Sequence, residues 1–365
     1  MGKGVKTRKI VLNESGYFLS RKEGCFVVRN IRTREEVAKY PILEKQLGEI
    51  QVISGNLIST GALVTAAFNR IPVIVKTALG SPVGILWSID DYSHVDTRLF
   101  QYATYENIQA LTIVKEIVLA KIKGQNEVLK KHGLRRIDFS VMEKVKDTYL
   151  CVLTTKELKN YIKNGKFPED GLDRLRAKLV GLEGRTSMYY FKQIFQLFPE
   201  SFRPENRKGF KAYDGLNNTF NLAYRILSFK VMRALIVAKL EPYLGFYHTI
   251  KFGQSSLVHD FMEIYRYLID DFLINFCRKL DVKDFVFKDD TYAGRKGKRS
   301  FLNKKRNKEF LDRVEEYFRM KVSIPRVRGG KKQELETLIN EEAQLFARFI
   351  RCKRKSWVPR IVPLE

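Results

Sequence analysis

Three segments hold residues whose types and spacing could do chemistry. The chain has four histidines, His94, His132, His248 and His259. His132 ends a basic helical stretch, where a cation is simply favourable, and His94 follows a change of sequence texture. His248 lies in a loop, Leu244-Gly-Phe-Tyr-His-Thr-Ile250, just ahead of a stretch that opens a helix, Gly253-Gln-Ser-Ser-Leu-Val-His-Asp-Phe-Met-Glu263. Ser255 or Ser256 is the expected N-cap of that helix. Asp260 and Glu263 stand three residues apart, so they share a helical face. The pair has two readings: complementing the helix dipole, or joining His248 around a cation. One imidazole with carboxylates suits Mg2+ or Mn2+, where thiolates would suit zinc. A third carboxylate, Glu183, sits beside the apolar stripe Leu172, Leu175, Leu179 and Leu182, between Gly181 and Gly184. Two helical glycines cost about 1 kcal/mol each relative to alanine. They point to a close approach of backbone or ligand, or else to a helix break or tight packing.

These segments need elements to hold them. The 365 residues are 44% hydrophobic and 30% charged, enough apolar content for about two cores. Residues 1–92 read as a small β-rich domain. Lys9–Glu14, Tyr17–Ser20, Cys25–Arg29 and Glu49–Ser54 are short and rich in β-branched and aromatic residues, with Gly24 in a hairpin turn. One helix, capped by Ser59 or Thr60, interrupts them before strands at Pro72–Lys76 and Val83–Trp87. From residue 93 the spacing turns helical. Leu111, Val114, Ile117, Val118, Ala120 and Ile122 form a stripe, with Lys115, Glu116, Lys121 and Lys123 largely on the other side. Further helices are expected near 172–198, 217–240, 256–280, 304–319 and 333–351. The expected fold class is therefore α+β, a β-rich domain (1–92) followed by a larger all-α domain (93–365).

Charge narrows the partners. Lys and Arg number 67 against 41 Asp and Glu, a net +26. The excess is uneven: residues 291–365 carry 21 basic and 9 acidic groups, net +12, against 13 and 8, net +5, in residues 1–92. Such a field favours nucleic acid or an anionic surface. Arg295, Lys296, Lys298 and Arg299, then Lys304, Lys305 and Arg306, form dense clusters with Tyr292 and Phe301 between them. They are candidate DNA contacts, with a solvated basic loop as the alternative. No apolar run is long enough to span a membrane, and the basic opening has no apolar core or cleavage site for a secretory leader. Cys25, Cys151, Cys277 and Cys352 form no CxxC pair, which fits a reducing cytoplasm.

In order along the chain, the motifs resemble the CRISPR-associated integrase family, the universal spacer-acquisition endonuclease. Gly181-Leu-Glu-Gly-Arg185 followed by Tyr189-Tyr-Phe191 resembles its glutamate motif. Leu240-Glu-Pro-Tyr-Leu-Gly-Phe-Tyr-His248 and Ser256-Leu-Val-His-Asp-Phe-Met-Glu-Ile-Tyr-Arg266 resemble its histidine and acidic segments. Ser59-Thr-Gly-Ala62, Pro82-Val-Gly84 and Trp357-Val-Pro359 resemble its terminal signatures. Lys239 and Glu241 depart from the family's usual Gly and Asp. The resemblance implies Glu183, His248 and Glu263 as catalytic metal ligands for Mg2+ or Mn2+. It implies Asp260 as a supporting catalytic acid or an alternative ligand. It further implies an endonuclease that joins the 3′-hydroxyl ends of foreign DNA to a repeat array, acting on double-stranded and branched DNA. The implied assembly is a homodimer formed through the β domain, two of which flank a small ferredoxin-like partner dimer. A non-catalytic basic nucleic-acid-binding scaffold is the alternative.

Overall fold

The computed structural model describes residues 8–42, 47–77, 82–88, 93–209, 212–292, 295–323 and 332–364. The chain divides into two compact units, Met1–Asp96 and Thr97–Glu365.

The first unit contains strands β1 (Arg8–Leu12), β2 (Tyr17–Lys22), β3 (Cys25–Asn30), β4 (Glu36–Pro41), β5 (Leu47–Ile53) and β6 (Leu57–Ile58). Helix α1 (Thr60–Phe68) and strands β7 (Val73–Lys76) and β8 (Pro82–Leu86) complete it. They form two four-stranded sheets, ordered β1-β5-β7-β8 and β4-β3-β2-β6. The β2–β3 turn places Glu23 and Gly24 at φ +49° and +69°, the backbone that a tight two-residue hairpin demands. Ser59 caps α1, its Oγ accepting the Ala62 N–H. Ile10, Ile50, Val52 and Val73 of one sheet share a core with Leu19, Phe26 and Val28 of the other and with Ala62 and Ala66 of α1.

Helix α2 (Ser93–Tyr105) spans the boundary between the units. The second unit continues with α3 (Ile108–Lys131), α4 (Phe139–Leu150), α5 (Thr155–Asn164), α6 (Gly171–Phe195), α7 (Gly215–Val237) and α8 (Ser256–Cys277). Strands β9 (Phe285–Tyr292) and β10 (Arg295–Leu302), α9 (Lys304–Arg319), the short strands β11 (Lys321–Val322) and β12 (Gln333–Glu334), and α10 (Leu335–Ile350) follow. Helix α8 is the centre: 19 of its 22 residues are buried, and α3, α7 and α9 pack against it. A helix apolar on every side belongs inside a core. Gly124 of α3 permits a close approach to α8, since a Cβ there would fall 2.5 Å from the Tyr267 ring. No helix among the described residues is long and apolar enough to cross a membrane.

The second unit is mostly helical, yet not all-α. The β9–β10 hairpin takes the basic segment 295–299 that sequence reasoning left as a possible loop. It docks on α7: Ser300 N–H donates to Tyr213 O at 2.8 Å, and Asn218 Nδ2 to Ser300 O at 2.8 Å.

Two smaller expectations are refined. Ser255 stands at the N-cap of α8 as expected but makes no side-chain cap bond, and Ser256 Oγ donates to Thr249 O at 2.8 Å. Gly181 and Gly184 do not break α6, and neither brings another part of the described chain close. A Cβ at Gly184 would meet nothing within 4 Å, and one at Gly181 only the Arg185 guanidinium at 3.7 Å.

Candidate functional site

Helix α8 buries four carboxylates, Asp260, Glu263, Asp270 and Asp271. A buried carboxylate requires partners or a perturbed pKa. Asp271 has structural partners: Lys131 Nζ at 3.1 Å and His132 Nε2 at 2.9 Å close the end of α3 onto α8. Asp270 accepts the Tyr190 hydroxyl at 2.8 Å and the Tyr224 hydroxyl. Burial pushes its carboxyl up to about 6 although both hydroxyls pull the other way.

Asp260 organises the histidine loop. Its Oδ2 accepts the N–H groups of Phe246 and Tyr247, and its Oδ1 accepts the His248 N–H at 2.8 Å. His248 Nδ1 lies 2.8 Å from the same Oδ1. Nδ1 is thereby placed to donate to the carboxylate, which in the neutral imidazole leaves the lone pair on Nε2. This is the carboxylate–histidine pairing that orients an imidazole for a metal. Asp260 is saturated by that work, so it positions His248 and is not an alternative ligand. Arg176 of α6 anchors the same loop, Nε donating to Phe246 O at 2.7 Å. Gly245 lets the loop seat on α8, because a Cβ there would stand 2.6 Å from the Ser256 backbone.

Glu183, His248 and Glu263, brought by α6, the loop and α8, converge. His248 Nε2 is 4.0 Å from Glu263 Oε1. Lys121 of α3 contacts Glu183 Oε1 and lies 2.9 Å from Glu263 Oε2. Side-chain exposure grades from 3% at Glu263 through 17% at Glu183 to 28% at His248, so the site has a buried wall and an open side. Burial alone would raise the Glu263 carboxyl; Arg266, Lys121 and His248 outweigh it and hold it at about 2. Burial, then the Glu183 and Glu263 charges, push the Tyr247 hydroxyl well up, keeping it a donor. Ser187 Oγ donates to Glu183 Oε1 at 2.6 Å.

Among the described residues no three His, Cys, Asp or Glu side chains stand ready-made around a metal position. The ammonium of Lys121 lies between the two glutamates instead. The donor set nonetheless fits a hard divalent cation: two carboxylates and an imidazole lone pair. Glu263 Oε2 is buried without a hydrogen-bond partner, its approach to Lys121 being an ion pair outside hydrogen-bond geometry.

A pocket of about 460 Å3 opens beside this wall, with Arg266 among the residues that line it. Arg207, Arg225, Arg266 and His259 line it together with Phe191 and Tyr224, and no carboxylate does. The guanidinium groups of Arg207 and Arg266 lie 5.2 and 5.1 Å from the Tyr224 ring. Cations and aromatic rings at an open site are suited to phosphate and base.

The C-terminal basic clusters divide. Lys298, Lys304 and Lys305 are exposed. Arg299 is turned inward, Nε donating to Ala212 O at 3.0 Å and a terminal nitrogen to Asn218 Oδ1 at 2.9 Å. Arg306 pairs with Asp284 at 2.9 Å and Glu309 at 2.7 Å. These two arginines hold the hairpin and the start of α9, a structural task beside the DNA-contact role expected of them. Arg295 and Lys296 lie on β10, but their side chains fall outside the described residues.

The family model described as "CRISPR associated protein Cas1" matches residues 10–316. The chain belongs to the Cas1 family. A protein named CRISPR-associated endonuclease Cas1 1, from Archaeoglobus fulgidus, is 27% identical over 275 residues, covering 72% of this chain and 76% of its own. The fold matches a solved chain of a partial Cas6-RT-Cas1–Cas2 complex with TM-score 0.69 and 19% identity, covering 98% of this chain and 100% of that one. It also matches a casposase bound to its integration product, with TM-score 0.67 and 17% identity, covering 96% and 97%.

In this Cas1-family chain, sequence reasoning missed Lys121, Arg176 and Arg266. Lys121 was assigned to the solvent side of α3. The signal against that was the run Val118-Leu-Ala-Lys-Ile122: α3 buries residues on nearly every side there, so a lysine among them needs an anion. Arg266 stands three residues after Glu263, the spacing that puts both on one helical face, and its NH1 lies 2.8 Å from Glu263 Oε1.

Proposed function

We propose that this Cas1-family protein is a divalent-metal-dependent DNA endonuclease and integrase, which joins the 3′-hydroxyl ends of foreign DNA fragments to a CRISPR repeat array by transesterification. The observation that carries the reading is that Lys121 joins Glu183 to Glu263 while His248 Nε2 stands 4.0 Å from Glu263, with a basic, aromatic-lined pocket nearby. Glu183, His248 and Glu263 would hold Mg2+ or Mn2+. Such an ion, when bound, supplies Lewis-acid stabilisation of the charge that builds on a phosphoryl oxygen.

The remaining work belongs to the chain's own groups. Asp260 fixes the His248 tautomer and its backbone. Arg266 keeps Glu263 ionised and aimed outward. Arg207, Arg225 and the exposed Lys298, Lys304 and Lys305 hold phosphates, giving affinity without sequence choice. In strand transfer the 3′-oxygen forms a bond to phosphorus. The bond from that phosphorus to its bridging oxygen breaks, and the leaving oxygen takes up the proton the attacking hydroxyl gives away. With water as nucleophile the same exchange is hydrolysis.

The assembly in this reading is a homodimer through the first unit, with a small ferredoxin-like partner dimer bridging two such dimers on DNA. Support comes from the Cas1–Cas2 complex among the structural neighbours. Val64 and Phe68, one turn apart on α1 and 53% and 80% exposed, also supply an apolar face for a dimer contact.

The rival reading is a non-catalytic basic scaffold on nucleic acid, and the Lys121 bridge is the observation that favours it, since the lysine would neutralise both acids permanently. Incubating labelled branched DNA with the protein and Mn2+ separates the two. The integrase reading expects cleaved and joined products that vanish in Glu183→Gln and His248→Ala while DNA affinity persists. Equal activity in these variants and the parent contradicts it.

A further inference from the structure

The two glutamates of the candidate site already share a cation. The Lys121 ammonium contacts Glu183 Oε1 and stands 2.9 Å from Glu263 Oε2. The lysine comes from α3 and the glutamates from α6 and α8, so one side chain ties three helices at the site.

The two ends of the bridge are unequal. Glu263 has a second cation, Arg266 NH1, at 2.8 Å on its Oε1. Its Oε2, facing Lys121, is buried without a hydrogen bond. The ammonium neutralises that oxygen but leaves its lone pair unspent. Glu183 keeps the Ser187 hydroxyl at 2.6 Å whether or not the lysine is there. If the ammonium left, Glu183 would keep Ser187 and Glu263 would keep Arg266, but the buried Oε2 of Glu263 would need another cation in its place. The lysine stem is long and flexible, and its side chain is 11% exposed, so it keeps an edge toward solvent.

A divalent ion held by both glutamates would occupy the space the ammonium fills. Two cations within a few ångströms repel strongly at the dielectric of a protein interior. We infer that Lys121 is an exchangeable counter-ion, whose ammonium holds Glu183 and Glu263 in register in the metal-free protein and vacates that position when a divalent cation enters. The inference rests on the metal-site reading above. It makes Lys121 a positioning residue, one that keeps the site assembled before loading and competes with the metal for it.

The test uses the full chain as wild type, Lys121→Met, Lys123→Met and Glu263→Gln. Free Mn2+ is followed by electron paramagnetic resonance, and melting is recorded without metal and at saturating Mn2+. Lys121→Met should melt below wild type without metal, because two facing carboxylates lose their shared cation. At saturating Mn2+ the two should melt together. Its Mn2+ affinity should rise by about tenfold or more, the direction set by removing a nearby unit charge. Lys123→Met, exposed on the same helix, controls for net charge and should match wild type.

An equal melting deficit with and without Mn2+ overturns the inference, as does weaker Mn2+ binding, since the lysine would then remain a partner in the loaded site. Should Glu263→Gln abolish Mn2+ binding while Lys121→Met binds as wild type does, the exchange idea fails and the metal site stands. If Glu263→Gln leaves Mn2+ binding unchanged, the metal-site reading falls and takes the inference with it. Lys121→Gln repeats the measurement if the methionine variant does not fold.

Discussion

The wall formed by α3, α6 and α8 and the basic segment from β10 to α9 both drew notice for their charge, and the fold treats them in opposite ways. On the wall, charges lie inside a core and every one has a stated partner or an orphaned oxygen. In the basic segment, Arg299 and Arg306 are consumed in holding a hairpin and a helix start, while Lys298, Lys304 and Lys305 stay exposed. Density of charge along the chain is therefore a weak guide to function, because a run of arginines can be structural. Charge buried where apolar residues belong is the stronger guide, since it persists only when something offsets its desolvation.

The sharpest way to break that contrast is at the wall. Glu263→Gln is expected to lower metal-dependent DNA cleavage by about 10²–10³-fold, the scale of losing one electrostatic contact to a transition state, with DNA affinity in gel shift nearly unchanged. Asp260→Asn should cost less, about 10–100-fold in metal affinity or activity, because it disturbs only the partner of a ligand. Titrating Mn2+ against activity separates the two, as Asp260→Asn should regain activity at high metal and Glu263→Gln should not.

In the basic segment the expected changes are in binding alone. Replacing Lys298, Lys304 and Lys305 by alanine should weaken DNA binding. It should also flatten the plot of log affinity against log salt by about 0.9 for each lysine that meets a phosphate. Arg299→Ala should leave that slope alone and instead lower the melting temperature, having lost its bonds to Ala212 and Asn218.

The smallest expected effect comes from Asp270, which sharpens the claim about buried charge. Its folded pKa of about 6 lies above the ordinary 3.8. The folded state thus keeps a proton the unfolded chain has released, and stability contributed by this group falls as pH rises between those values. Asp270→Asn should remove at most one proton's worth of slope from the difference in stability between pH 4 and pH 6, measured by urea unfolding.

Much of this was legible in the residues themselves. The Asp260 and Glu263 spacing put both on one helical face, and the loop before α8 placed His248 beside them. Ser59, Gly24 and the alternating strands of the first unit act as their types suggest. What escaped notice has physical causes. Lys121 was hidden because an amphipathic stripe assumes one buried face, and α3 has nearly none that is not. The β9–β10 hairpin was hidden because Arg295-Lys-Gly-Lys-Arg299 reads as a charge run, although Phe285-Val-Phe287 is strand-like and pairs with the adjoining Ser300-Phe-Leu302. Helix α5 buries none of its residues, yet its Thr154–Glu157 capping box and the left-handed Gly165 that ends it are signals in the residues. Gly181 and Gly184 suggested a close approach, yet that side of α6 faces open space.

The central claim is that Glu183, His248 and Glu263 hold one divalent cation. Anomalous diffraction at the manganese edge from a crystal soaked in Mn2+ tests it most directly. The expected map has a single strong peak in this unit's core wall, coordinated by both glutamates and by Nε2 of His248, with the Lys121 ammonium moved aside. A peak elsewhere, or none while Lys121 still bridges the two glutamates, would contradict the account.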